Sequence, residues 1–254
     1  MDGESHYGSV PGPDPDTWPR VLPAPSRLAL LRAVEEADSE FGEVIALLEA
    51  CGVADCTPYP VGVIDRLLLQ AYRAVLHRDL EVVVACPACH VFNALPLGID
   101  DVPGYSPRSA WCGPGIGVRE PTGADLADLP GNGEEAALEL ELRCRIGPAE
   151  GPAAANALDR IDQSLCGTVR VACVECGAEV SEFVDVQHLV TAAIAEAVAD
   201  VDTEIHLIAS RYGWELATIE SLPDGRRVRL AARDPGPLPA GGASRRRGSR
   251  QRVR

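Results

Sequence analysis

The chain has 254 residues and a net charge of −15, with 46% hydrophobic but only 4% aromatic residues. This length and composition allow a buried aliphatic core, and no run of eighteen apolar residues is present to cross a membrane. The strong negative charge argues against a general binder of nucleic acids or anionic membranes, since both carry negative charge themselves.

The two ends of the chain have compositions typical of disordered segments. Residues 1–25 are rich in Pro and Gly, and they lack the basic start and apolar stretch of a signal peptide. Residues 234–254 end in RRRGSRQRVR, whereas the first 244 residues hold 17 arginines against 38 acidic residues, a net charge of −21. We therefore expect a cytoplasmic protein with a single mainly helical domain at residues 26–233 and a disordered segment at each end.

Helical periodicity dominates the first third of that domain. Ser26 suits an N-cap, and the apolar residues that follow it recur at helical spacing up to Leu48, with a break expected near Asp38. The segment VGVIDRLLLQAYRAVLH, residues 61–77, places its apolar residues on one face. It predicts a second long helix.

The middle of the chain is less regular. Residues 102–118 are rich in Pro and Gly and predict a loop, and PTGADLADLP predicts a short helix capped by Thr122. The segment EEAALELELRCRIG, residues 134–147, fits either a helix or a strand. Residues 152–164 favour a helix.

The last third of the domain is again helical. The apolar residues of QHLVTAAIAEAVADVDTEIHLIASRYG recur at steps of three and four, which predicts one long helix that ends at Gly213. The segment WELATIESL predicts a shorter helix behind it.

A cysteine pair occurs twice with matching flanks, in VVVACPACHVFNALPLGI (82–99) and VRVACVECGAEVSEFVDV (169–186). The two copies lie 87 residues apart, and alternation around each pair predicts a β-hairpin. One CxxC turn supplies two thiolate ligands, so two turns complete the tetrahedral shell that zinc prefers. The sequence thus predicts one structural zinc ion per chain, in a zinc-ribbon-like module, held by Cys86, Cys89, Cys173 and Cys176.

Other kinds of cysteine chemistry fit less well. Nine cysteines without an export signal favour reduced thiols over disulfides. Thioredoxin-like catalysis needs a helix that begins at the first cysteine, but HVFNALPLGI alternates and contains Pro96. A metal-dependent hydrolase would need an open coordination position, and four cysteine ligands leave none. No nucleophile, phosphate loop or paired-carboxylate motif stands out, so we expect no enzymatic activity.

The remaining candidate ligands lack the context of a hairpin. His90 directly follows the first pair, where it either replaces a lost cysteine or is a solvated turn residue. The other cysteines are predicted to be core or surface thiols, although the first two, in CGVADC, have a spacing compatible with metal binding: Cys51, Cys56, Cys112, Cys144 and Cys166. Together the patterns predict an α+β fold that is mainly helical, with two β-hairpin CxxC knuckles.

The order of segments resembles the baseplate protein family of T-even-type contractile phages, in the branch found in bacterial contractile injection systems and phage-tail-like particles. The resemblance covers residues 26–233 and includes the CPxC hairpin, REPTGADLADL and the CxxCG hairpin. That branch carries a pattern like LA-x-x-YGW-x-x-x-x-I-x-x-LP-x-x-RR. The residues that match it are Ala209, Tyr212, Gly213, Trp214, Ile219, Leu222, Pro223, Arg226 and Arg227. A departure is His90, which stands where the first pair usually has glycine.

This resemblance implies a non-enzymatic structural or assembly role at a contractile-tail baseplate, through contacts with other baseplate or hub proteins. The predicted contact surface combines an aromatic pair, Tyr212 and Trp214, with a basic segment expected to be exposed, Arg226, Arg227 and Arg229. The alternative for the aromatic pair is that it anchors the terminal helix in the core. The alternative for the arginines is that they only pair with acidic residues of the chain itself. The alternative function is a zinc-ribbon transcription regulator or another nucleic-acid-associated adaptor that uses the Arg-rich tail, against which the charge of the body argues.

Overall fold

The computed structural model describes residues 21–113, 116–129, 133–147 and 152–233. About half of these residues are helical and the strands form small antiparallel sheets, so the predicted α+β class is confirmed. The chain divides into two compact units between Ala199 and Asp200, inside the single domain predicted for residues 26–233. Among the described residues, no helix combines the length and hydrophobicity needed to cross a lipid bilayer.

The first unit contains seven of the described helices and all of the described strands. In chain order they are α1 (Arg27–Glu35), α2 (Glu40–Ala50), α3 (Val61–Leu76), β1 (Glu81–Ala85), β2 (Phe92–Pro96), β3 (Ser109–Gly113), β4 (Ile116–Arg119), α4 (Gly123–Leu126), α5 (Gly133–Cys144), β5 (Arg145–Ile146), α6 (Pro152–Ile161), β6 (Gly167–Ala172), β7 (Glu179–Val184) and α7 (Val186–Val198). The second unit contains α8 (Val201–Tyr212), α9 (Leu216–Glu220) and α10 (Asp224–Ala232).

Serine caps define the first two helices. The hydroxyl of Ser26 accepts a hydrogen bond from the Ala29 N–H, and that of Ser39 accepts one from the Gly42 N–H. Each serine satisfies a donor that has no partner within its helix. The start at Ser26 and the break near Asp38 are thereby confirmed.

The segment before Ser26 is ordered further than its composition indicates. Of the predicted disordered residues 1–25, the structure describes 21–25, and Leu22 is buried at 5% exposure. A Cβ on Gly52 would lie 3.6 Å from Pro23 Cγ, so this stretch runs past the end of α2. The rest of the predicted disordered ends, residues 1–20 and 234–254, lies outside the described residues.

The helix α3 forms the centre of the first unit. Ten of its sixteen residues are buried, and it packs against α7 and α2. Burial on most sides explains the near-continuous apolar sequence around Leu67 to Leu69, which a surface helix would not show. It ends at His77, which adopts the left-handed conformation at φ 54°.

The loop predicted for residues 102–118 is wrong in its second half, because β3 and β4 form a hairpin there and β5 extends it to three strands. Glycine is needed at position 117, since a Cβ would lie 2.9 Å from the Ala110 carbonyl oxygen and 3.0 Å from the Trp111 ring. Gly117 therefore serves close strand packing rather than a loop.

The ambiguous segment 134–147 is mainly helix. It forms α5 and then the two residues of β5, so the helical composition prevails until Cys144. The short helix α4 is capped by Thr122 as predicted, with a capping box in which Asp125 Oδ2 accepts from the Thr122 N–H at 2.7 Å. The helix predicted for residues 152–164 is present as α6.

The long helix predicted from Gln187 to Gly213 is wrong as one element. It is interrupted at Ala199 and Asp200, so that α7 ends at Val198 and α8 begins at Val201. Asp200 takes the N-cap position of α8, a place that aspartate prefers to a helix interior. Gly213 ends α8 as predicted, in the left-handed conformation at φ 64°.

Candidate metal centre

The two predicted hairpins are present and have the same register. β1 pairs with β2 so that Val84 lies opposite Asn93, and β6 pairs with β7 so that Val171 lies opposite Val180. The inner faces of hairpin 1 (β1–β2) and hairpin 2 (β6–β7) pack against each other. The residues of this contact are Val82, Val84, Cys86, Cys89, Leu95, Val169, Val171, Cys173, Ala178 and Val180.

Both turns have the same backbone hydrogen bonds. In hairpin 1 the Cys86 N–H donates to the Val91 carbonyl at 2.8 Å, and the His90 N–H donates to the Cys86 carbonyl at 3.0 Å. In hairpin 2 the Cys173 N–H donates to the Ala178 carbonyl at 2.8 Å, and the Gly177 N–H donates to the Cys173 carbonyl at 3.0 Å. The repeated sequence therefore builds one turn twice.

Each turn places a left-handed residue directly after its second cysteine. Gly177 has φ 72° and His90 has φ 62°, so a histidine occupies the backbone conformation that favours glycine. The His90 side chain is exposed, and it does not belong to the ligand cluster described next. Of the two predictions for this residue, the solvated turn residue agrees with its position.

The four predicted ligands converge on one point. Cys86 Sγ lies 3.7 Å from Cys176 Sγ, and Cys89 Sγ lies 3.6 Å from Cys173 Sγ. All four sulfur atoms lie within 4.8 Å of one another. A tetrahedral metal with metal–sulfur bonds of about 2.3 Å requires sulfur atoms about 3.8 Å apart. The cluster therefore has the size and donor set of a four-thiolate metal site.

One side of the cluster is dry and the other faces solvent. Cys86 and Cys173, the first cysteine of each pair, are buried against the apolar contact between the hairpins. Cys89 is half-buried and Cys176 is exposed. A metal held here would lie at the edge of a small apolar core, with all four positions filled by protein.

Backbone N–H groups favour the thiolate form of the first cysteine in each pair. The N–H groups of Cys89 and Ala88 lower the pKa of Cys86, and the Ala88 nitrogen lies 3.4 Å from its sulfur. The N–H groups of Cys176 and Glu175 lower the pKa of Cys173 to about 6. Because the thiolate is the metal-binding form, these two turns favour the state of each cysteine that a metal ion would need.

The second cysteine of hairpin 1 has the opposite tendency. The Val91 N–H favours the Cys89 thiolate, but burial and the shared hydrogen bonds with the other three thiols outweigh it and raise the pKa to about 12. Four thiolates cannot lie this close without a cation to compensate their charge. Cys89 thus holds its proton unless a metal replaces it.

A buried asparagine connects the two hairpins. Asn93 is 2% exposed, and its Oδ1 accepts from the Val174 N–H of hairpin 2 at 3.0 Å. Its Nδ2 donates to the Val91 carbonyl at 3.1 Å. Sequence analysis missed this residue, although a polar residue stands there where the other copy has Val180.

Hairpin 2 is anchored to α3 by a buried carboxylate. Asp65 is fully buried, and its two oxygens accept from the Leu165 N–H and from Gln187 Nε2, each at 2.7 Å. These partners lie just before β6 and just after β7. Burial raises the pKa of Asp65 to about 6, although both hydrogen bonds and Arg66 favour its charged form.

The other described cysteines are separate from this cluster. Cys51, Cys56 and Cys144 are buried, and burial raises the pKa of each thiol, to about 11, 11 and 12 respectively. Cys166 is half-buried and donates to Asp185 at 3.4 Å. Among the described side chains, the only group of three or more potential metal ligands is the four-cysteine cluster. The side chain of Cys112 lies outside the described part.

The predicted partner-binding residues lie in the second unit, and one of them is not exposed. Arg227 is 1% exposed, and its guanidinium bonds Glu204 at 3.0 Å and Asp224 at 2.6 Å. The expectation of an exposed Arg227 is wrong, because the residue neutralises a buried acid and joins α10 to α8. Arg226 and Arg229 are exposed.

The aromatic pair divides between core and surface. Trp214 packs on the small apolar core of Ile208, Ile219 and Ala231, as the anchoring alternative predicts. Tyr212 is 38% exposed, and its ring centroid lies 5.4 Å from that of Trp214.

Comparison with known proteins gives no relative from which to transfer a function. No protein-family profile, curated protein or solved structure matches the chain significantly.

Proposed function

We propose that Cys86, Cys89, Cys173 and Cys176 bind one zinc ion in a structural, zinc-ribbon-like module. The observation that carries this proposal is the convergence of four thiols, from segments 87 residues apart, at the spacing of a tetrahedral ligand shell. A tetrahedral sulfur shell suits zinc, and also iron, among the common metals. Four protein ligands leave no position for water or substrate, which favours a structural role over catalysis.

Metal analysis of the untagged full chain tests this proposal. We expect about one equivalent of zinc per chain after purification without chelators. Release of the zinc by a thiol-modifying reagent should be stoichiometric with modification of the cluster. The proposal would be contradicted by a chain that is purified without metal and whose melting temperature does not change when zinc is added. A visible thiolate-to-iron absorption band would assign iron instead.

We further infer a non-enzymatic role in the assembly of a phage-like contractile tail baseplate. The support is the sequence resemblance over residues 26–233, above all the YGW and paired-arginine pattern. Three residues of this pattern have identifiable roles in the fold of the second unit. Gly213 ends α8, Trp214 packs on the core of the second unit, and Arg227 bonds the buried Glu204.

Because some of these residues are buried, fewer residues of the second unit can form the proposed contact surface. Residues that hold α8, α9 and α10 together are needed for folding, so their substitution cannot report on a partner. The exposed members are Tyr212, Arg226 and Arg229, and the second unit also exposes Leu216 and Val228, at 57% and 42%. Exposed arginine and aromatic side chains next to apolar ones are typical of protein interfaces.

Deletion of the gene in its own cell tests the assembly role. We expect healthy cells in which electron microscopy finds no intact contractile particles. Complementation with Arg226→Ala plus Arg229→Ala should restore fewer particles than complementation with Arg160→Ala plus Arg170→Ala, a matched pair of exposed arginines in the first unit. Normal particles in the deletion strain would exclude the assembly role. A salt-dependent shift of DNA by the purified chain would favour the nucleic-acid adaptor.

A further inference from the structure

A cleft of about 330 Å³ lies beside the base of hairpin 2 in the first unit. Its walls come from the start of α3, from α4, α5 and α6, and from the two segments that flank hairpin 2. Most of the wall is apolar, through the side chains of Val61, Pro121, Leu126, Leu140 and Leu158. Small-molecule sites are mostly apolar clefts with volumes from about 300 Å³ upward, so this cleft has room for a compact ligand.

Three carboxylates line the same cleft: Asp159, Asp162 and Asp185. Ser164 donates to Asp162 through its N–H at 2.8 Å and through its hydroxyl at 2.9 Å. No described basic side chain forms an ion pair with any of the three, and the described lining residues include no arginine or histidine. The cleft therefore combines apolar walls with negative charge that the described part of the chain does not neutralise.

The Cys166 thiol forms part of the wall and responds to this negative charge. Burial, and after it the charges of Asp65 and Asp185, raise the pKa of Cys166 to about 12. The thiol therefore keeps its proton and donates to Asp185 Oδ1 at 3.4 Å. Oδ1 also accepts from the His188 N–H at 3.1 Å, whereas no described residue donates to Oδ2. One oxygen of Asp185 is thus left for a ligand.

The spacing of the three carboxylates argues against a metal ion as the occupant. Among the described side chains, only the four-cysteine cluster places three or more potential ligands close enough to share one ion. A hard cation such as Ca²⁺ takes about six to eight oxygen ligands at about 2.3–2.6 Å, which carboxylates spread around a cleft do not supply. An anion would meet three carboxylates and no described basic group.

We propose that this cleft binds a small organic cation, an amine or a guanidinium compound with an apolar body. The apolar body lies against Leu126, Leu140 and Leu158, which removes its surface from water. The charged group lies where Asp159 and Asp185 Oδ2 accept its hydrogen bonds, and bonds between two charged groups are the strong ones. The surrounding chain attracts cations as well, since its net charge is −15.

The size of the cleft favours a free molecule over a protein partner. A stable contact between proteins buries about 800 Å² on each partner, far more than the wall of a 330 Å³ cleft offers. A compact ligand, by contrast, is largely enclosed by a cleft of this volume.

Titration of the full chain with hexylamine, followed by ligand-observed NMR, tests the proposal. Hexylamine joins an ammonium group to an apolar chain, and we expect it to saturate one site per chain with a Kd below about 10 mM. Hexanol lacks the charge, hexanoate carries the opposite charge, and methylamine lacks the apolar chain. Each should bind at least about tenfold more weakly. Failure of hexylamine to bind, or equally tight binding of any of the other three, would overturn the proposal.

Nα-acetyl-lysine amide separates a free ligand from a side chain of a protein partner. It carries an ammonium group on an alkyl chain that is joined to a peptide backbone. We expect it to bind at least about tenfold more weakly than hexylamine, because the cleft has no room for the backbone. Binding as tight as that of hexylamine, or tighter, would overturn the free molecule as the occupant and assign the cleft to a protein partner.

Two carboxylate substitutions locate the site. Asp159→Asn removes the charge of an exposed side chain to which no described residue is bonded, and it should weaken hexylamine binding at least about threefold. Asp185→Asn should weaken binding at least about tenfold, because Asp185 is half-buried and its charge is less screened. Asparagine is as good an N-cap as aspartate, so α7 keeps its cap in this variant.

Asp38→Asn is the matched control. Asp38 is an exposed aspartate of the first unit that does not line the cleft, and its substitution should leave hexylamine binding unchanged. Thermal melting establishes that each variant is folded. Equal weakening by Asp38→Asn and Asp159→Asn would show that only the total charge matters and would overturn the site. Unchanged binding in both cleft variants would overturn it as well.

Discussion

Hairpin 1 and hairpin 2 share their turns but not their surroundings. Each contributes two cysteines to the cluster, and each closes its turn with hydrogen bonds of the same lengths, 2.8 Å and 3.0 Å. The outward-facing residues of β1 and β2 are mostly apolar, whereas those of β6 and β7 are mostly polar. The comparison shows that the ligands and the turn bonds determine the backbone, which leaves the other positions free to differ.

The side-chain hydrogen bond that joins the two hairpins comes from hairpin 1 and has no equivalent from hairpin 2. Asn93 of hairpin 1 bonds the Val174 N–H of hairpin 2, whereas its equivalent, Val180, has no polar group to return the bond. Hairpin 1 therefore positions the turn that carries Cys173 and Cys176. The proposed metal would hold together the same pair of turns that this asparagine side chain joins.

The hairpins are also attached to the helices in different ways. Hairpin 1 follows α3 after the four residues 77–80, so the chain itself fixes its position. Hairpin 2 lies about a hundred residues later in the sequence. It continues into α7 after the single residue Asp185, and α7 packs on α3. Asp65 adds direct hydrogen bonds from α3 to both flanks of this hairpin, which hairpin 1 does not receive from it.

The largest effect is expected from removal of one ligand in either hairpin. If each hairpin supplies half of the shell, Cys86→Ser and Cys173→Ser should both lose the metal and lower the unfolding free energy by at least about 5 kcal/mol. Metal content and chemical denaturation of the full chain measure both effects.

Cys166→Ser is the control for this pair. Cys166 is a half-buried thiol outside the cluster, and its substitution should keep one equivalent of metal. Full metal content in Cys86→Ser together with loss in Cys173→Ser would show that hairpin 1 is not half of the site.

The second-largest effect is expected when the side-chain hydrogen bond between the two hairpins is removed. Asn93→Val gives hairpin 1 the residue of hairpin 2 and leaves the Val174 N–H without its acceptor. We expect a loss of about 2 kcal/mol in unfolding free energy with the metal still bound. Asn93→Asp keeps the acceptor and should retain zinc with higher affinity than Asn93→Val. Equal zinc affinities in the two variants would show that Asn93 does not position the second turn.

Much of this site could be predicted from sequence, because its signals are local. A CxxC spacing specifies a turn, and two copies with the same flanks specify a pair of turns, so all four members of the cluster were identified. Ser26, Thr122 and Gly213 were likewise identified, since a cap depends on the few residues beside it.

The errors concern features that depend on distant partners. The burial of Arg227 depends on Glu204, which lies 23 residues away. The sequence near Arg227 does not contain this partner, so it predicted an exposed basic stretch. The loop predicted for residues 102–118 is a different case, because Gly117 pairs with Trp111 only six residues away and the glycine allows the two strands to approach closely. Asp65 and Asn93 were missed because their partners lie far away in the sequence and become neighbours only after folding.

A smaller effect, a dependence of stability on pH, is expected from Asp65, which bonds both flanks of hairpin 2. The pKa of Asp65 is raised to about 6 in the folded chain, above its ordinary value, so the folded state binds more protons than the unfolded state between about pH 4 and pH 6. Stability therefore falls as the pH rises through this range. Besides Arg66, which favours the charged form, the nearby Asp162 and Cys166 influence this titration.

Comparison with Asp65→Asn isolates this contribution. From pH 5 to pH 7.5, the wild type should lose between about 1 and about 2 kcal/mol of unfolding free energy relative to the variant, as the carboxylate ionises in its buried place. Chemical denaturation of both proteins at each pH measures the difference. A difference that is constant with pH would show that Asp65 is already ionised in the folded chain below pH 5.

The smallest effect concerns the left-handed residue after each cysteine pair. Gly177 has φ 72°, and nothing lies within 4 Å of the position that a Cβ would take, so Gly177→Ala meets no steric contact and introduces only backbone strain, about 1 kcal/mol. His90 already has a side chain in this conformation, and His90→Ala should change the unfolding free energy by less than about 0.5 kcal/mol. Thermal melting of the zinc-loaded variants measures both. If His90→Ala is as destabilising as Gly177→Ala, the histidine side chain itself stabilises the first turn, and the two turns differ in more than their surroundings.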